Sequence, residues 1–250
     1  MMTSRLFSLP LLALAPLMLI ACDDAATTDA TGVASGEALP AMAAPAGTNW
    51  TETVTVTPEG GYKIGNPDAP IKLVEYASHT CSHCADFAKT GKAPLKNQYV
   101  ASGNVSFEQR EVFLNPFDVV IAGLTQCGVK ERMQPLSDEV WQNLDSVFAG
   151  LQGNPQAVQA AAQLPLNQRF AAIAEATGLL EFFAARGLSA DQARACLADS
   201  AKIEELVKTA EANNARDQIQ GTPTFFINGT KVDGTTWEMV EPALKRAGAR

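Results

Sequence analysis

A strand that runs into two closely spaced cysteines restricts the possible folds of this chain more than any other feature. Residues 71–77 (Ile-Lys-Leu-Val-Glu-Tyr-Ala) are mostly apolar, which is typical of a strand in the middle of a sheet. Cys81 and Cys84 come next and open a segment that predicts a helix to about Ala101, kinked near Pro94. Because parallel strands need a crossover helix between them, this unit predicts a sheet with at least one parallel pair.

The end of the chain predicts antiparallel pairing instead. Asn228-Gly229 is a strong two-residue hairpin signal, so 224–232 is expected to form two paired strands. Thr235 and Glu238 then match the capping-box pattern, which predicts the start of a terminal helix. Both kinds of pairing are found together in a mixed sheet.

The middle of the chain supplies the remaining elements. Alternating polar and apolar residues at 51–57 predict an edge strand, and 105–114 predicts another strand. From about 115 to 198 the pattern is helical, with Ser137 as a helix cap, and a long helix follows around 203–210. The predicted fold class is α/β, with a mixed sheet of four or five strands flanked by helices and a helical insertion at about 115–198.

The first 49 residues lie outside the predicted globular domain, which we place at 50–250. Residues 1–21 combine Arg5 with an apolar stretch too short to span a bilayer comfortably, which is typical of a signal peptide. This stretch ends in Leu-Ile-Ala-Cys, which resembles the bacterial lipobox and makes Cys22 the predicted lipidated first residue. A plain secretory signal is the alternative. Residues 22–49 are rich in Ala, Thr, Gly and Pro and predict a flexible tether.

The number of cysteines fits an exported protein once Cys22 carries lipid. Five cysteines are an odd set, but the lipidated residue leaves Cys81, Cys84, Cys127 and Cys196 in an oxidising compartment. Cys127 and Cys196 are then expected to form a structural disulfide. Two buried free thiols are the alternative.

The motif Cys-Ser-His-Cys at 81–84 has three ordinary interpretations. Haem attachment requires His directly after the second cysteine, and Ala85 occupies that position. Zinc needs four ligands; His79 and His83 are near, but four ligands within six residues at a helix start cannot all face one metal. A redox-active dithiol is favoured, and no metal or organic cofactor is expected.

The position of the motif also favours redox chemistry. Cys81 lies at the N-terminus of the predicted helix, where unpaired N–H groups and the helix dipole stabilise a thiolate and lower the pKa of the thiol. Cys84 follows one turn later and is placed to resolve a mixed disulfide. His83 is expected to direct a hydrogen bond or a positive charge toward the Cys81 sulfur.

The segment Glu-Tyr-Ala-Ser-His-Thr-Cys-Ser-His-Cys at 75–84, with Gly-Thr-Pro-Thr at 221–224, resembles the DsbA-type branch of the thioredoxin superfamily. The resemblance covers about 50–250 and implies a thioredoxin fold in which the helical block is the insertion of this branch. It implies these roles: Cys81 as nucleophile, Cys84 as resolving thiol, Pro223 as a cis-proline across from the active site, Thr222 as a backbone contact for substrate, and Glu75 as the buried acid beneath the cysteines. The alternatives are a trans proline at Pro223 and a paired structural carboxylate at Glu75.

Two departures from the best-known oxidants of this branch bear on the activity. The dipeptide between the cysteines is Ser-His rather than Pro-His, and Thr222 before the proline resembles isomerase-type members. Both positions touch the Cys81 sulfur and tune its pKa and its reduction potential. The motif therefore predicts dithiol exchange more firmly than it predicts the direction of exchange.

The resemblance implies a thiol:disulfide oxidoreductase, and the signal sequence ending at Cys22 predicts that it is lipid-anchored on the periplasmic side of the bacterial cell envelope. Reduced exported proteins are the expected substrates, and a membrane quinone-linked thiol oxidase is the expected reoxidant. A net charge of −8 without basic clusters argues against nucleic acid as a partner. The alternatives are a disulfide isomerase or reductase on the same fold, and a non-catalytic thioredoxin-fold lipoprotein that acts as a binding module.

Overall fold

The computed structural model describes residues 36–250, which form six β-strands and eleven α-helices. The strands are β1 Val54–Val56, β2 Tyr62–Ile64, β3 Ile71–Ala77, β4 Val105–Glu111, β5 Thr224–Ile227 and β6 Thr230–Lys231. The helices are α1 Ser82–Thr90, α2 Lys92–Pro94, α3 Pro116–Thr125, α4 Met133–Gln142, α5 Leu144–Gly153, α6 Pro155–Ala162, α7 Leu166–Ala176, α8 Leu179–Ala184, α9 Ala190–Ala198, α10 Ser200–Arg216 and α11 Trp237–Arg246. A π-helix, Leu95–Val100, and two 3₁₀ turns, Trp50–Glu52 and Lys130–Arg132, complete the described elements.

The strands form one mixed sheet in the order β1-β2-β4-β3-β5-β6. β3 is parallel to β4 and antiparallel to β5, and β2 is antiparallel to β4. The α/β class, the central strand at 71–77 and the closing hairpin are confirmed. The predicted number of four or five strands is too low, since the sheet within 36–250 has six. The strand that was not predicted is β2, which is only three residues long and follows a Gly-Gly turn too closely to show an alternating pattern.

The helix predicted after the central strand is present as a nearly continuous run of α1, α2 and the π-helix. Its first interruption is at Gly91, where a Cβ atom would lie 2.8 Å from the Phe87 ring, so the close approach requires glycine. The π-helix begins directly after Pro94, which has no N–H for the regular helical ladder. The backbone therefore stays helical through the predicted kink.

Helices α3 to α9 form the predicted insertion between β4 and α10. They enclose an apolar core of their own, distinct from the core that the sheet forms with α1 and α11. A third, smaller cluster joins the two parts, in which Cys84 and Ala88 of α1 pack with Trp141 and Leu144 of the insertion. We call this cluster the seam. Through it, the insertion covers the helix that carries the dithiol.

Two predicted helix starts are wrong. Ser137 lies inside α4, because Pro135 is tolerated in a first turn and the helix begins ahead of it. Helix α11 follows Thr236, which makes no side-chain capping bond, so the capping box at Thr235 and Glu238 is not formed. The hydroxyl of Ser137 is therefore available to other buried groups.

The segment 36–49 has no regular secondary structure, but it is bound to the domain. Its backbone N–H groups donate to carbonyls at and just beyond the end of α11, and the Asn104 side chain donates to its Leu39 carbonyl. The predicted tether therefore does not include 36–49, because the Leu39 side chain packs on the core. Residues 1–35, with the predicted signal peptide and Cys22, lie outside the described residues. No helix within 36–250 is long and apolar enough to cross a membrane.

Candidate active site

The two cysteines of the motif lie at the start of α1, and both are free thiols. Cys81 is the N-cap residue, and its sulfur accepts a hydrogen bond from the Cys84 backbone N–H, 3.4 Å away. Cys81 is 8% exposed, whereas Cys84 is fully buried in the seam. Of these two sulfurs, that of Cys81 is the one a second protein can reach.

The surroundings of the two thiols drive their pKa values apart. A hydrogen bond from the Cys84 thiol, aided by the Thr222 side chain and the backbone N–H groups of the first turn, outweighs burial and lowers the pKa of Cys81 to about 5. Burial, followed by the hydrogen bond to Cys81, raises the pKa of Cys84. At neutral pH Cys81 is therefore a thiolate and Cys84 a thiol, which is the asymmetry that the helix position predicted.

The loop ahead of β5 lies across from Cys81. The Thr222-Pro223 peptide bond is cis, and the Thr222 carbonyl oxygen lies 3.3 Å from the Cys81 Sγ. The cis-proline expected at 223 is present. The Thr222 backbone therefore lies where it can meet a peptide attached to Cys81.

Glu75 of β3 is fully buried near the dithiol. Within the described residues its carboxylate has no hydrogen-bond partner, and the Lys92 Nζ lies 3.9 Å away. Lys92 in turn lies 2.9 Å from Asp138 and 4.0 Å from the centre of the Trp141 ring. Burial raises the pKa of Glu75 to about 7, although the Lys92 charge opposes this shift. Glu75 can therefore take up or release a proton near neutral pH.

His83 does not make the expected contact with the Cys81 sulfur. Its side chain is 74% exposed, and its Nδ1 lies 3.9 Å from the Asp86 carboxylate. A residue in the first turn of a helix points outward, away from the capping sulfur, so the ring faces solvent. What His83 supplies to the Cys81 thiolate is its backbone N–H.

Three further buried polar residues complete the site, and no motif in the sequence pointed to them: Lys92, Glu111 and Ser137. They meet around His79, whose position in the sequence suggested a metal ligand. The His79 Nε2 lies 2.9 Å from Ser137 Oγ, and its Nδ1 lies 3.4 Å from Glu111 Oε2. The sequence feature that could have indicated these residues is the presence of charged side chains within segments predicted to be buried. That feature does not show which of the side chains are in contact.

The second pair of cysteines is joined in a disulfide. Cys127 and Cys196 have their sulfurs 2.00 Å apart and their Cα atoms 5.9 Å apart, across 69 residues of sequence. The bridge ties the residues after α3 to α9 and belongs to the core of the insertion, whereas the dithiol belongs to the seam. The two pairs therefore lie in different packing environments.

A mixed sheet with a Cys-x-x-Cys pair at the start of the helix after its central strand, facing a cis-proline, defines the thioredoxin class of folds. A family model described as Thioredoxin matches residues 57–246, and the chain belongs to this family. Helices inserted between β4 and α10 give it the DsbA-type form of the fold.

Curated relatives come from Rickettsia and are named for protein-disulfide oxidoreductase activity. The Rickettsia bellii protein is 24% identical over 190 residues, which are 76% of this chain and 65% of the relative. The Rickettsia typhi protein is 22% identical over 184 residues, covering 74% of this chain and 60% of the relative. This chain therefore spans slightly less than two thirds of the length of these relatives.

Solved structures show the same architecture. A protein-disulfide isomerase from Novosphingobium aromaticivorans is 28% identical with a TM-score of 0.69, covering 74% of this chain and 96% of that one. The alpha-DsbA1 protein of Wolbachia pipientis is 22% identical with a TM-score of 0.59, covering 74% of this chain and 89% of that one. The likeness to the Wolbachia structure concerns the fold alone.

Proposed function

We propose that this chain is a thiol:disulfide oxidoreductase that exchanges disulfides with exported proteins through Cys81 and Cys84. The observation that carries the proposal is the inequality of the two thiols. One is a low-pKa sulfur at a helix start beside the Thr222 backbone, and the other is a buried thiol of raised pKa. A pair of this kind releases one sulfur readily and keeps the other protonated, which favours donation of the disulfide.

The proposed reaction proceeds in two exchanges. A substrate thiolate attacks the Cys81 sulfur of the oxidised pair, the Cys81–Cys84 bond breaks, and Cys84 leaves with the electron pair and takes up a proton. A second substrate thiolate then attacks the substrate sulfur of the mixed disulfide, and Cys81 leaves as a thiolate. The substrate loses two electrons to form its disulfide, and the enzyme gains them.

The proton that Cys84 takes up needs a nearby source, and we assign this role to Glu75. Its carboxyl group is buried near the dithiol, and its pKa of about 7 means that it is partly protonated when the exchange takes place. Cys84 and Glu75 influence each other electrostatically, since a charge on the carboxylate raises the pKa of the thiol. Glu75→Gln is expected to slow the first exchange at pH 7 and below, where Glu75 carries its proton, while leaving the Cys81 thiolate in place.

A redox titration against glutathione tests the proposal. The expected result is one reversible two-electron transition of Cys81 and Cys84, together with faster oxidative refolding of a reduced, unfolded ribonuclease by the oxidised protein. Cys127→Ala/Cys196→Ala, which keeps the dithiol, is the matched control and is expected to show the same transition. A chain whose dithiol shows no reversible transition, or which does not speed refolding, is not an oxidoreductase of this kind.

Disulfide isomerisation on the same site is the second candidate. It is favoured by Thr222 ahead of the cis-proline and by the Novosphingobium aromaticivorans structure, which is named as a protein-disulfide isomerase. A ribonuclease with scrambled disulfides separates the two activities. An isomerase recovers active ribonuclease from it when added in reduced form, whereas a dedicated oxidase does so only slowly.

The cellular setting forms part of the proposal. We place the chain at the periplasmic side of the bacterial envelope, lipid-anchored through Cys22, with a membrane quinone-linked thiol oxidase as its reoxidant. The support is the Leu-Ile-Ala-Cys sequence followed by Asp23 and Asp24. Mass spectrometry of the membrane fraction is expected to find a lipid-modified peptide that begins at Cys22. A soluble mature protein that begins elsewhere contradicts the anchor without affecting the dithiol chemistry.

A further inference from the structure

His79 and Glu111 form a buried pair that the proposed reaction does not use. His79 lies two residues ahead of Cys81, and Glu111 ends β4. The His79 side chain is 0% exposed and that of Glu111 4%, and His79 Nδ1 lies 3.4 Å from Glu111 Oε2. Neither of these two atoms has a hydrogen-bond partner within the described residues. Two lone-pair-bearing atoms at this distance, shielded from water, repel each other unless a proton lies between them.

The remaining contacts of the pair favour one position for that proton. Ser137 Oγ accepts a hydrogen bond from the Gln109 amide and lies 3.8 Å from Met133 Sδ, toward which its own hydrogen can point. The Ser137 oxygen is then free to accept from His79 Nε2–H, 2.9 Å away. A neutral imidazole with its hydrogen on Nε2 leaves Nδ1 as an acceptor. The missing donor is therefore the carboxyl group of Glu111.

We propose that Glu111 is a protonated carboxylic acid that donates to His79 Nδ1, and that the proton shared by this pair sets the charge beneath the Cys81–Cys84 dithiol. His79 and Glu111 are positioning residues in this inference, since neither touches substrate. The inference rests on the proposed function, because it assigns a regulator to the same dithiol.

A continuous chain of contacts connects the pair to the dithiol. From His79 it runs through Ser137 to Gln109, whose Oε1 accepts from Lys92 Nζ at 3.1 Å. Lys92 is the cation nearest to Glu75, the buried acid assigned to the proton of the second cysteine. Lys92 therefore stabilises each nearby acid less when more of those acids are ionised.

Charged and titratable groups face the pair from each element packed on it. Lys92 lies in α2, Glu75 in β3, Asp118 in α3, Tyr62 in β2, and Asp138 reaches Lys92 from α4. Among these described groups the acids outnumber the cation Lys92, so a second buried negative charge is unfavourable. In agreement with this, burial is the main cause that raises the pKa of Glu111 and lowers that of His79, which keeps the acid protonated and the imidazole neutral.

Loss of the shared proton has a predictable sign. An ionised Glu111 adds negative charge that acts on Glu75 and competes for Lys92, which disfavours the Cys81 thiolate and hence the reduced form. The oxidised form then gains relative to the reduced form as the pH rises through the titration of Glu111. Replacing Glu111 by glutamine, which cannot ionise, removes this contribution.

The imidazole tautomer of the unmodified protein is the first test. The whole chain contains two histidines, so ¹⁵N-histidine labelling gives an NMR spectrum with two imidazoles. His79 is expected to be neutral with its hydrogen on Nε2 at pH 7, and the exposed His83 provides the internal reference. A hydrogen on Nδ1, or a doubly protonated ring, overturns the proposal. This test needs no variant, so it holds even if a substitution prevents folding.

The second test follows the dithiol equilibrium with glutathione from pH 7 to pH 9. The ratio of the oxidation constant of the wild type to that of Glu111→Gln is expected to rise by about threefold to tenfold over this range, as for one added charge at partial screening. Glu108→Gln is the control, since this buried carboxylate of the same strand pairs with Arg110 instead. The ratio of the wild-type oxidation constant to that of Glu108→Gln is expected to stay constant from pH 7 to pH 9.

The outcomes separate this inference from the proposed function. If the wild-type dithiol titrates reversibly but Glu111→Gln follows the wild type at every pH, the proposed function stands and the inference is wrong. If the wild-type dithiol shows no reversible transition, the proposed function is wrong. A change that appears equally in Glu108→Gln also overturns the inference, because it then reflects any lost carboxylate of this strand.

Discussion

The chain contains two pairs of cysteines, and their surroundings differ in almost every respect. Cys81 and Cys84 are separated by two residues, lie at a helix start and are free thiols. Cys127 and Cys196 are separated by 69 residues, lie in the core of the insertion and are bridged. The first pair has Glu75 and the cis Thr222-Pro223 bond beside it, whereas the second pair packs among the apolar side chains of the insertion core.

The difference teaches what makes a sulfur reactive. The covalent chemistry open to all four cysteines is the same. In the first pair, a hydrogen bond from the Cys84 thiol and the N–H groups at the helix start stabilise the Cys81 thiolate, and burial keeps Cys84 protonated. In the second pair, the bond closes a long loop and restricts the unfolded chain. The first pair is therefore suited to disulfide exchange, and the second is a structural disulfide.

The largest expected effect is the loss of activity when the reactive pair is broken. Cys81→Ala is expected to reduce disulfide exchange to the uncatalysed background, because Cys81 is the accessible low-pKa sulfur. Cys84→Ala is expected to accumulate mixed disulfides with reduced substrate, which non-reducing gels detect. If Cys84→Ala and Cys81→Ala trap substrate equally, the assigned order of attack is wrong.

The next effect concerns the bridged pair and appears in stability rather than activity. Cys127→Ala/Cys196→Ala is expected to lose about 4 kcal/mol of unfolding free energy, the chain-entropy value for a loop of this length and an upper limit. Urea denaturation, with the wild type in the same buffer, measures the loss. Unchanged stability contradicts a structural role for the bridge, and a lost activity in the folded variant contradicts the division between the two pairs.

The pH dependence of the reduced protein sharpens the same comparison. The folded-state pKa of Cys81 is lowered to about 5, against about 8.5 for a free thiol. A lowered pKa stabilises the reduced fold fully above pH 8.5, and this stability is lost as the pH falls through 5. The unfolding free energy of the reduced protein, relative to the oxidised protein, is therefore expected to fall by about 2 kcal/mol from pH 7 to pH 5.

Alkylation of the reduced protein gives a direct control for this titration. Half-maximal reactivity of Cys81 is expected near pH 5. In Cys84→Ala the midpoint is expected to move upward, because the hydrogen bond from the Cys84 thiol is the largest cause of the lowered pKa. A midpoint near 8.5 in the wild type shows that neither the Cys84 thiol nor the helix start stabilises the thiolate.

The smallest expected effect belongs to the histidine inside the motif. His83→Ala is expected to change the exchange rate by less than about twofold, because its exposed side chain pairs only with the exposed Asp86 carboxylate and such a surface change contributes within about 0.5 kcal/mol. Stopped-flow oxidation of a reduced peptide measures the rate. A larger loss shows that the ring, and not only the backbone N–H, distinguishes the reactive pair from the bridged one.

Local rules were sufficient for the elements that hold the reactive cysteines. The apolar run at 71–77, the helix that follows it and the Asn228-Gly229 hairpin each depend on neighbouring residues, and each is present. Asn228 and Gly229 both have positive φ, at 50° and 82°, as that hairpin turn requires. The position of Cys81 at the helix start followed from the same rules.

Contacts between distant segments explain what the sequence did not predict. Lys92, Glu111 and Ser137 come from α2, β4 and α4, and only the packing of the insertion on the sheet brings them to His79. Neither hydrophobic periodicity nor residue spacing in a single sequence predicts contacts between side chains of such distant segments. His83 shows the converse, since its place inside the motif suggested a contact that the direction of its side chain does not allow.

The segment 36–49 fixes where the chain enters the domain. Its Leu39 carbonyl accepts from Asn104, whose own carbonyl accepts from the N–H of Ile71, the first residue of β3. Cys81 follows the other end of that strand, and seven extended residues span roughly 20 Å. A fluorophore, bead or surface coupled at Gly36 itself is thus attached near the end of the sheet opposite the thiol. Immobilising the protein through Gly36 is expected to leave the reactive sulfur directed toward the solution.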